Sequence, residues 1–491
     1  MVDSRRSDDR AHSSLAEPAH TGLPSSDSPD SSVDLALRPV PRLAAKLNLF
    51  DATMIVMGGI VGSGIFINPY VVAGLLHTPA LILSTWLAGG AIALVGAFIY
   101  AELADRMPAV GGQYAYLREA YHPAVGFLYG WAALLVIHAG GTAAVAVTFA
   151  KYFREMAGGS GAENWIAVVV IVALTAINCI GVRAGGNVQN GFMILRILAI
   201  AIVATAGGWF LIHSPAAAPV SWWPILDRPA SFGLLSVFGA AMVPVLFGYG
   251  GWQTSNYVAG EIQEPRKNLP RALVLGVVGI IVLYLGVNFI YVESLSPAGL
   301  AATSTPASAV MRMAFGGRGA ALVAALIAIS TVGFLSQAML SYPRMYFAVA
   351  ADGLLPKWFA QLGERTRVPT ATIILQGAVT IAVVLLGTYE QILSYVVVMD
   401  WLFFGLTASC IFVFRAREKR EGGAGAASAA GFRVPGHPLT TALFITVAWL
   451  VTGNTIYKYP RNAAVALCIL FAGIPFYYLM RGRARRSNGS E

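Results

Sequence analysis

Of the 491 residues, 57% are hydrophobic and only 12% are charged, whereas a soluble domain is roughly a quarter charged. A water-soluble globular fold is therefore excluded. The formal net charge of +9 does not point to nucleic acid, because the basic residues are distributed as in a membrane protein.

Residues 1–45 are rich in Ser, Asp, Pro and Arg, a composition expected of a disordered tail, and contain no apolar stretch of the kind found in a cleaved leader. Beyond Leu47 the chain is a succession of apolar runs long enough to cross a bilayer. About twelve all-α spans are predicted, near 48–74, 80–104, 123–150, 164–182, 188–212, 232–260, 270–292, 318–348, 369–387, 390–414, 438–456 and 462–480. A membrane core over 46–415, a flexible connection at 416–437, two peripheral spans within 438–481 and a short tail at 482–491 follow from this pattern.

Two of these spans carry glycine clusters at membrane depth: Gly58-Gly59-Ile60-Val61-Gly62-Ser63-Gly64 in the first and Phe247-Gly248-Tyr249-Gly250-Gly251-Trp252 in the sixth. An interrupted helix frees backbone groups that hydrocarbon cannot satisfy, so it persists only where it is buried or lines a polar cavity. A pair of interruptions, one in each half of the chain, points to the binding site of a secondary transporter. The two lie about 186 residues apart, from Gly62 to Gly248, which suits two inverted repeats of five spans, 1–5 and 6–10, with two spans outside the repeat.

At the first interruption a new half-helix begins near Ile65, and its free N–H groups and positive dipole end suit a carboxylate. Close packing through small residues is the alternative. At the second, carbonyls freed around Gly248–Gly251 can accept bonds from an ammonium group. Phe247 and Trp252 offer apolar surface for a gate, a pocket wall or plain core. Together the two interruptions suit a zwitterionic amino acid.

With the N-terminus inside, the predicted inner loops hold Arg106, Arg118, Arg183, Arg266, Lys267, Arg271, Lys357, Arg365 and Arg367. Arg415, Arg417, Lys419, Arg420 and Arg433 add to that side, as do Arg481, Arg483, Arg485 and Arg486 in the tail. The outer loops hold Lys151, Arg154, Arg228, Arg312, Arg318, Lys458 and Arg461. That excess on one side places both termini in the cytoplasm. The three cysteines, Cys179, Cys410 and Cys468, all fall in predicted spans, so no disulfide framework is expected.

Several short motifs in a fixed order identify a family. They are Gly-Ile-Val-Gly-Ser-Gly-Ile-Phe at 59–66, Ala101-Glu102-Leu103 followed by Pro108 and Gly111-Gly112-Gln113-Tyr114, and Gly250-Gly251-Trp252. Glu261 with Pro265-Arg266-Lys267-Asn268-Leu269-Pro270-Arg271, Arg344, Asp352-Gly353-Leu354-Leu355-Pro356 and Phe432-Arg433-Val434-Pro435-Gly436 complete the set. Over roughly 45–480 the chain resembles the amino acid–polyamine–organocation superfamily of permeases, in its L-type amino acid transporter branch. The resemblance implies twelve spans, a core of two inverted five-helix repeats with helices 1 and 6 broken, and alternating access to a site at the breaks. Substrate-binding candidates are then Ile60, Val61, Gly62, Ser63, Gly64 and Ile65, with Phe247, Gly248, Tyr249, Gly250, Gly251 and Trp252.

Arg196 in the fifth span departs from the sodium-independent relatives, where a lysine usually takes the place of a sodium ion between spans 1 and 8. An ionisable residue inside a span is functional by default and needs a partner. The carbonyls near Ile60–Gly62 and the hydroxyls of Ser330 and Thr331 are the expected ones. Unlike lysine, arginine stays protonated, so a fixed charge is predicted that replaces sodium and carries no transported proton. A span-end arginine reaching for the interface is the alternative.

His138 in span 3 is either a ligand or pH contact or a hydrogen-bonded core histidine. Asp400 in span 10 would favour cationic substrates if it faces the pocket, and otherwise pairs with a neighbouring helix. Glu102, Arg106, Glu261, Arg266, Arg344 and Asp352 cluster near predicted inner helix ends, as a gate of ion pairs or as loop anchors.

The seven histidines form no His-Glu-x-x-His or similar set, so neither an enzyme, a metal site nor a cofactor is expected. No signalling module speaks for a receptor. The expected partners are a small amino acid substrate and the lipid bilayer of a cell (inner) membrane. Neutral amino acids come first, with proton-coupled uptake or cationic amino acids and polyamines as alternatives. Animal members of the branch join a heavy chain through a cysteine between spans 3 and 4. The segment from Tyr152 to Asn164 has none, so no disulfide-linked heavy chain is expected.

Overall fold

The computed structural model describes residues 47–107, 112–157, 163–180, 186–213, 220–253, 255–256, 262–361, 368–420 and 431–488, all within one compact unit, Leu43–Glu491. Among them the structure is helical apart from turns and a single bridge between Leu47 and Ile262. Eleven helical segments are long and apolar enough to cross a membrane, and a twelfth apolar helix, Thr370–Leu386, is shorter at 17 residues. The chain is an integral, multi-pass membrane protein.

The first span is two helices. α1 (Leu49–Ile60) opens with a reciprocal cap, in which the Asp51 N–H donates to Asn48 Oδ1 (3.0 Å) and the Asn48 N–H to Asp51 Oδ2 (3.1 Å). This satisfies two of the N–H groups a helix start leaves free. α1 stops at Ile60, and α2 (Gly64–Leu75) begins after three intervening residues with no side-chain cap. α3 (Pro79–Arg106) follows, capped by Thr78, then a short helix, α4 (Gln113–Ala120), that the apolar pattern does not reveal.

The third span is α5 (Pro123–Ala132), a π-turn at Ala133–Ile137 and α6 (His138–Ala157). α7 (Glu163–Ile180) and α8 (Gly186–His213) are the fourth and fifth spans. α9 (Phe232–Tyr249) ends where the sequence places the second break. Among the described residues, short turns at 252–253 and 255–256 and the bridge residue Ile262 precede α10 (Pro265–Ala301). α11 (Pro306–Ala351), α12 (Thr370–Leu386), α13 (Tyr389–Arg420), α14 (Leu439–Lys458) and α15 (Pro460–Asn488) complete the bundle.

Several helices outrun their expected bounds. α10 and α11 continue past the apolar stretch across kinks at Ser296 and at Phe315–Gly316, and α13 continues through Arg420 into the stretch expected to be flexible. Hydropathy marks only the portion that must be apolar, and a helix continues into water wherever its propensity permits.

Packing brings the interruptions together. α2 lies against α9, α1 against α10, and α10 against both α2 and α3. A Cβ on Gly64 would collide with the Gly248 backbone, and one on Gly251 with the Gly59 carbonyl. Gly251 also has φ +102°, a conformation that L side chains rarely adopt. These glycines are therefore required by close approach of one backbone to another. Asn68 of α2 secures the pair, donating from Nδ2 to the Pro244 carbonyl of α9 (2.5 Å) and accepting from Tyr389 Oη of α13 (2.9 Å).

Replacing Gly64 with Ala is expected to lower the apparent Tm of the detergent-solubilised protein through overpacking of roughly 1–3 kcal/mol. Gly74→Ala, where no heavy atom lies within 4 Å of the new methyl group, is expected to leave it unchanged. Equal melting curves for the two variants would contradict the close packing.

Candidate functional site

The two interruptions share one cavity of about 80 Å³, enough for several waters or a small solute. Gly59, Ile60, Gly62, Ser63 and Gly64 line it from the first span; Leu246, Phe247, Gly250, Gly251 and Gln253 from the sixth. The remaining wall combines His138 and Val145 of α6, Phe334 and Tyr342 of α11, and Val397, Asp400 and Trp401 of α13.

Val61 turns out of helical geometry (φ −73°, ψ 82°), and its N–H still reaches back to the Met57 carbonyl (2.8 Å). The following half-helix starts at Gly64, which lines the cavity, and a helix start leaves first-turn N–H groups without intrahelical partners. At the other interruption the Gly250 N–H caps the Phe247 carbonyl (3.2 Å), and the Gly251 N–H donates to Gln253 Oε1 (3.0 Å).

Two buried side chains satisfy freed carbonyls. Tyr284 of α10 places its hydroxyl 3.3 Å from both the Ile60 and Gly248 carbonyls, bridging the two interruptions. Arg196 of α8, only 2% exposed, donates from Nη1 to Gly58 O (3.0 Å) and Val61 O (3.3 Å), and from Nε to Ser330 O (3.2 Å). Its guanidinium also lies over the Phe334 ring, 5.4 Å from the centroid. The residue is thus no interfacial arginine. The expected hydroxyl partners need correction: Ser330 Oγ and Thr331 Oγ1 bond back to carbonyls of their own helix. A hydroxyl in a helix readily finds the carbonyl three or four residues back, which leaves the Ser330 carbonyl to receive the cation.

Of the twelve residues assigned to the breaks, Ile60, Gly62, Ser63, Gly64, Phe247, Gly250 and Gly251 line the cavity. Val61, Ile65, Gly248, Tyr249 and Trp252 do not. Tyr249 is buried among Trp86 and Tyr284, and Trp252 packs on Tyr100 and Phe404. Of the large apolar residues at the second break, Phe247 forms wall and Trp252 forms core. Gln253, Phe334 and Tyr342 were missed, because which face of a long apolar helix meets the cavity is set by its neighbours.

His138 combines both readings, lining the cavity within a bonded core. It stacks on Tyr342 (centroids 3.9 Å apart, 8° between planes), and its Nδ1 lies 2.9 Å from Tyr346 Oη. Tyr346 donates its single proton to Gln376 Oε1 (2.9 Å), so His138 Nδ1–H is the donor to the phenol. The π-turn just before His138 adds a residue to the helical register, a distortion frequent at functional sites. Asp400 also lines the cavity; its Oδ1 is buried and has no hydrogen-bond partner among the described residues.

The expected charge cluster divides in two. Glu102, fully buried, accepts from Arg106 Nε (2.9 Å), Arg415 Nε (2.9 Å) and Nη2 (2.7 Å), and the Val434 N–H (2.7 Å). It thereby ties α3 to α13 and to the segment entering α14, while Arg106 also pairs with Glu418. Asp352 instead accepts from Arg118 Nη1 (2.6 Å) and Tyr114 Oη (2.7 Å) of α4. Burial, then the adjacent Asp352 carboxylate, push the Tyr114 phenol up, which keeps it a donor. Arg266 is exposed beside Asp105. Glu261 and the Arg344 side chain lie outside the described residues. Arg118 and Arg415, counted in the sequence only as topology charges, are the partners that complete both clusters.

A family model described as amino acid permease matches residues 47–481. The serine/threonine exchanger SteT of Bacillus subtilis (strain 168) is 29% identical over 455 residues, covering 90% of this chain and 98% of that protein. Large neutral amino acids transporter small subunit 2 of Mus musculus is 28% identical over 457 residues, 89% of this chain and 81% of its own length. Asc-type amino acid transporter 1 of Mus musculus is 27% identical over 453 residues, with coverages of 89% and 81%.

Removing the Arg196 guanidinium leaves three buried carbonyls without their donor, and each such loss costs roughly 1–3 kcal/mol. Arg196→Ala is expected to lower the apparent Tm clearly, and Arg196→Lys by less, since one ammonium reaches fewer of the three. A thermal melt in which both variants match the parent would show that these bonds contribute nothing.

Proposed function

This chain belongs to the amino acid permease family, and from that premise we propose that it moves neutral L-amino acids across the cell (inner) membrane by sodium-independent exchange or facilitated transport. The observation that carries the proposal is the meeting of the two helix interruptions at one cavity. A carboxylate of the substrate is received by the N-terminal turn of α2, where N–H groups and the helix dipole favour negative charge. The α-ammonium is received by carbonyls of the second interruption. Both interactions are common to every amino acid and add no net charge, which suits a neutral substrate class. The relatives named for serine/threonine exchange and for large neutral amino acids support that class.

Arg196 supplies the charge that a bound sodium ion would otherwise bring between α1 and α11. Its partners are backbone carbonyls of the kind that coordinate ions at broken helices. Because arginine keeps its proton, it is a constant counter-charge, and substrate rather than ion binding drives the conformational change.

Alternating access needs one end of the pathway to close while the other opens. In the orientation set by the charge bias, with both termini cytoplasmic, the Glu102–Arg106–Arg415 and Arg118–Asp352 clusters lie at the inner end and act as the inner gate. The core is two inverted repeats with two peripheral spans. The protein is a carrier rather than an enzyme, and it works without a disulfide-linked heavy chain.

Purified protein in proteoliposomes preloaded with unlabelled serine is expected to take up labelled serine faster than empty vesicles do, with choline replacing sodium at no cost in rate. Absence of flux for all twenty amino acids would refute the transport reading. A steep dependence on an imposed proton gradient, persisting in Arg196→Lys, would favour proton-coupled uptake instead.

A further inference from the structure

Asp400 is the one feature of the cavity that the neutral-substrate reading does not use. It lies on α13, away from both interruptions in sequence, and brings a carboxylate into a wall that otherwise holds backbone, apolar side chains and a few neutral polar groups. The ionisable groups facing it can be taken element by element. The first span contributes none, α6 contributes His138, α9 and the turn after it contribute only the Gln253 amide, and α11 contributes the Tyr342 phenol. No lysine or arginine lines the cavity among the described residues. Arg196 does not line it either: its Nε and Nη1 donate to the Ser330, Gly58 and Val61 carbonyls, and its buried Nη2 has no partner among the described residues.

No hydrogen bond or ion pair joins His138 to Asp400 among the described residues. Its Nδ1–H is spent on Tyr346, whose own proton goes to Gln376, and its ring is stacked face to face on Tyr342. One carboxylate oxygen of Asp400 is buried and unpartnered among the described residues. An ionised carboxylate withdrawn from water is costly unless it is paired. Bonds in which both partners are charged are roughly twice as strong as neutral ones. A cation carried in by the ligand would give this oxygen the partner it lacks.

We propose that Asp400 is a side-chain subsite that pairs with a terminal ammonium, so that the transporter also accepts short dibasic amino acids such as 2,4-diaminobutyrate and ornithine. This rests on the transport reading above. The two interruptions hold the α-carboxylate and α-ammonium, and Asp400 receives the second ammonium at the end of a short stem.

The experiment measures inhibition of labelled serine exchange in proteoliposomes by 2,4-diaminobutyrate, ornithine, lysine and unlabelled serine, for the parent and for Asp400→Asn. The expected result is that the two short dibasic compounds inhibit the parent. In Asp400→Asn their inhibition constants should rise at least tenfold more than that of serine. A parent indifferent to dibasic compounds would overturn the proposal. So would an equal loss for serine and ornithine, because Asp400 would then hold the α-ammonium. Absence of serine flux in the parent would instead defeat the transport reading itself. Should Asp400→Asn fail to fold, Asp400→Glu keeps the charge and lengthens the side chain by one methylene. It should shift preference from ornithine toward 2,4-diaminobutyrate, and an unchanged order of preference would also overturn the subsite.

Discussion

A broken helix inside a bilayer obliges the protein to find partners for backbone groups that neither water nor the helix can serve. Most of this core is organised around that obligation. Arg196 reaches from α8 to carbonyls on both sides of the first interruption and to one on α11. Tyr284 spans both interruptions from α10. Two helices, α8 and α10, are thus held in register by bonds to the main chain of the broken spans, and α8 is bonded to α11 as well. The glycines that let the two interruptions touch complete the constraint, since no side chain fits between Gly64 and Gly248 or between Gly251 and Gly59.

Arg196 takes up the Gly58, Val61 and Ser330 carbonyls, and Tyr284 those of Ile60 and Gly248. What is left toward the cavity is the start of α2 at Gly64 and the segment at Gly250, Gly251 and Gln253. Residues of α6, α11 and α13 close the wall, where His138, Tyr342 and Asp400 stand among apolar neighbours.

Farther from the cavity, Glu102 concentrates two arginines and a backbone N–H on one buried carboxylate. Removing one partner of such a buried network is more disruptive than breaking an exposed pair, because the remaining charge is left in low dielectric. The Arg118–Asp352 pair is more than a third exposed on both sides, so water screens it and it can part readily. The helix ends are thus joined by one buried, multiply bonded carboxylate and by one exposed pair.

Hydropathy alone placed the membrane class and nearly every span, because a run of about twenty apolar residues has few other fates in water or lipid. Glycine clusters at matching positions located both interruptions, since only glycine tolerates the backbone approach they require. The motifs in their fixed order then identified the family. Tertiary packing decided which residues of those clusters face the cavity: Trp252 and Tyr249 became core while Gln253, Phe334 and Tyr342 became wall. Packing also gave Arg196 the Ser330 carbonyl in place of the hydroxyls, and gave Glu102 and Asp352 separate arginines. The reason is geometric. A helix that is apolar all round carries no mark of which face meets a neighbour, and a charged residue carries none of which distant helix will bring its partner.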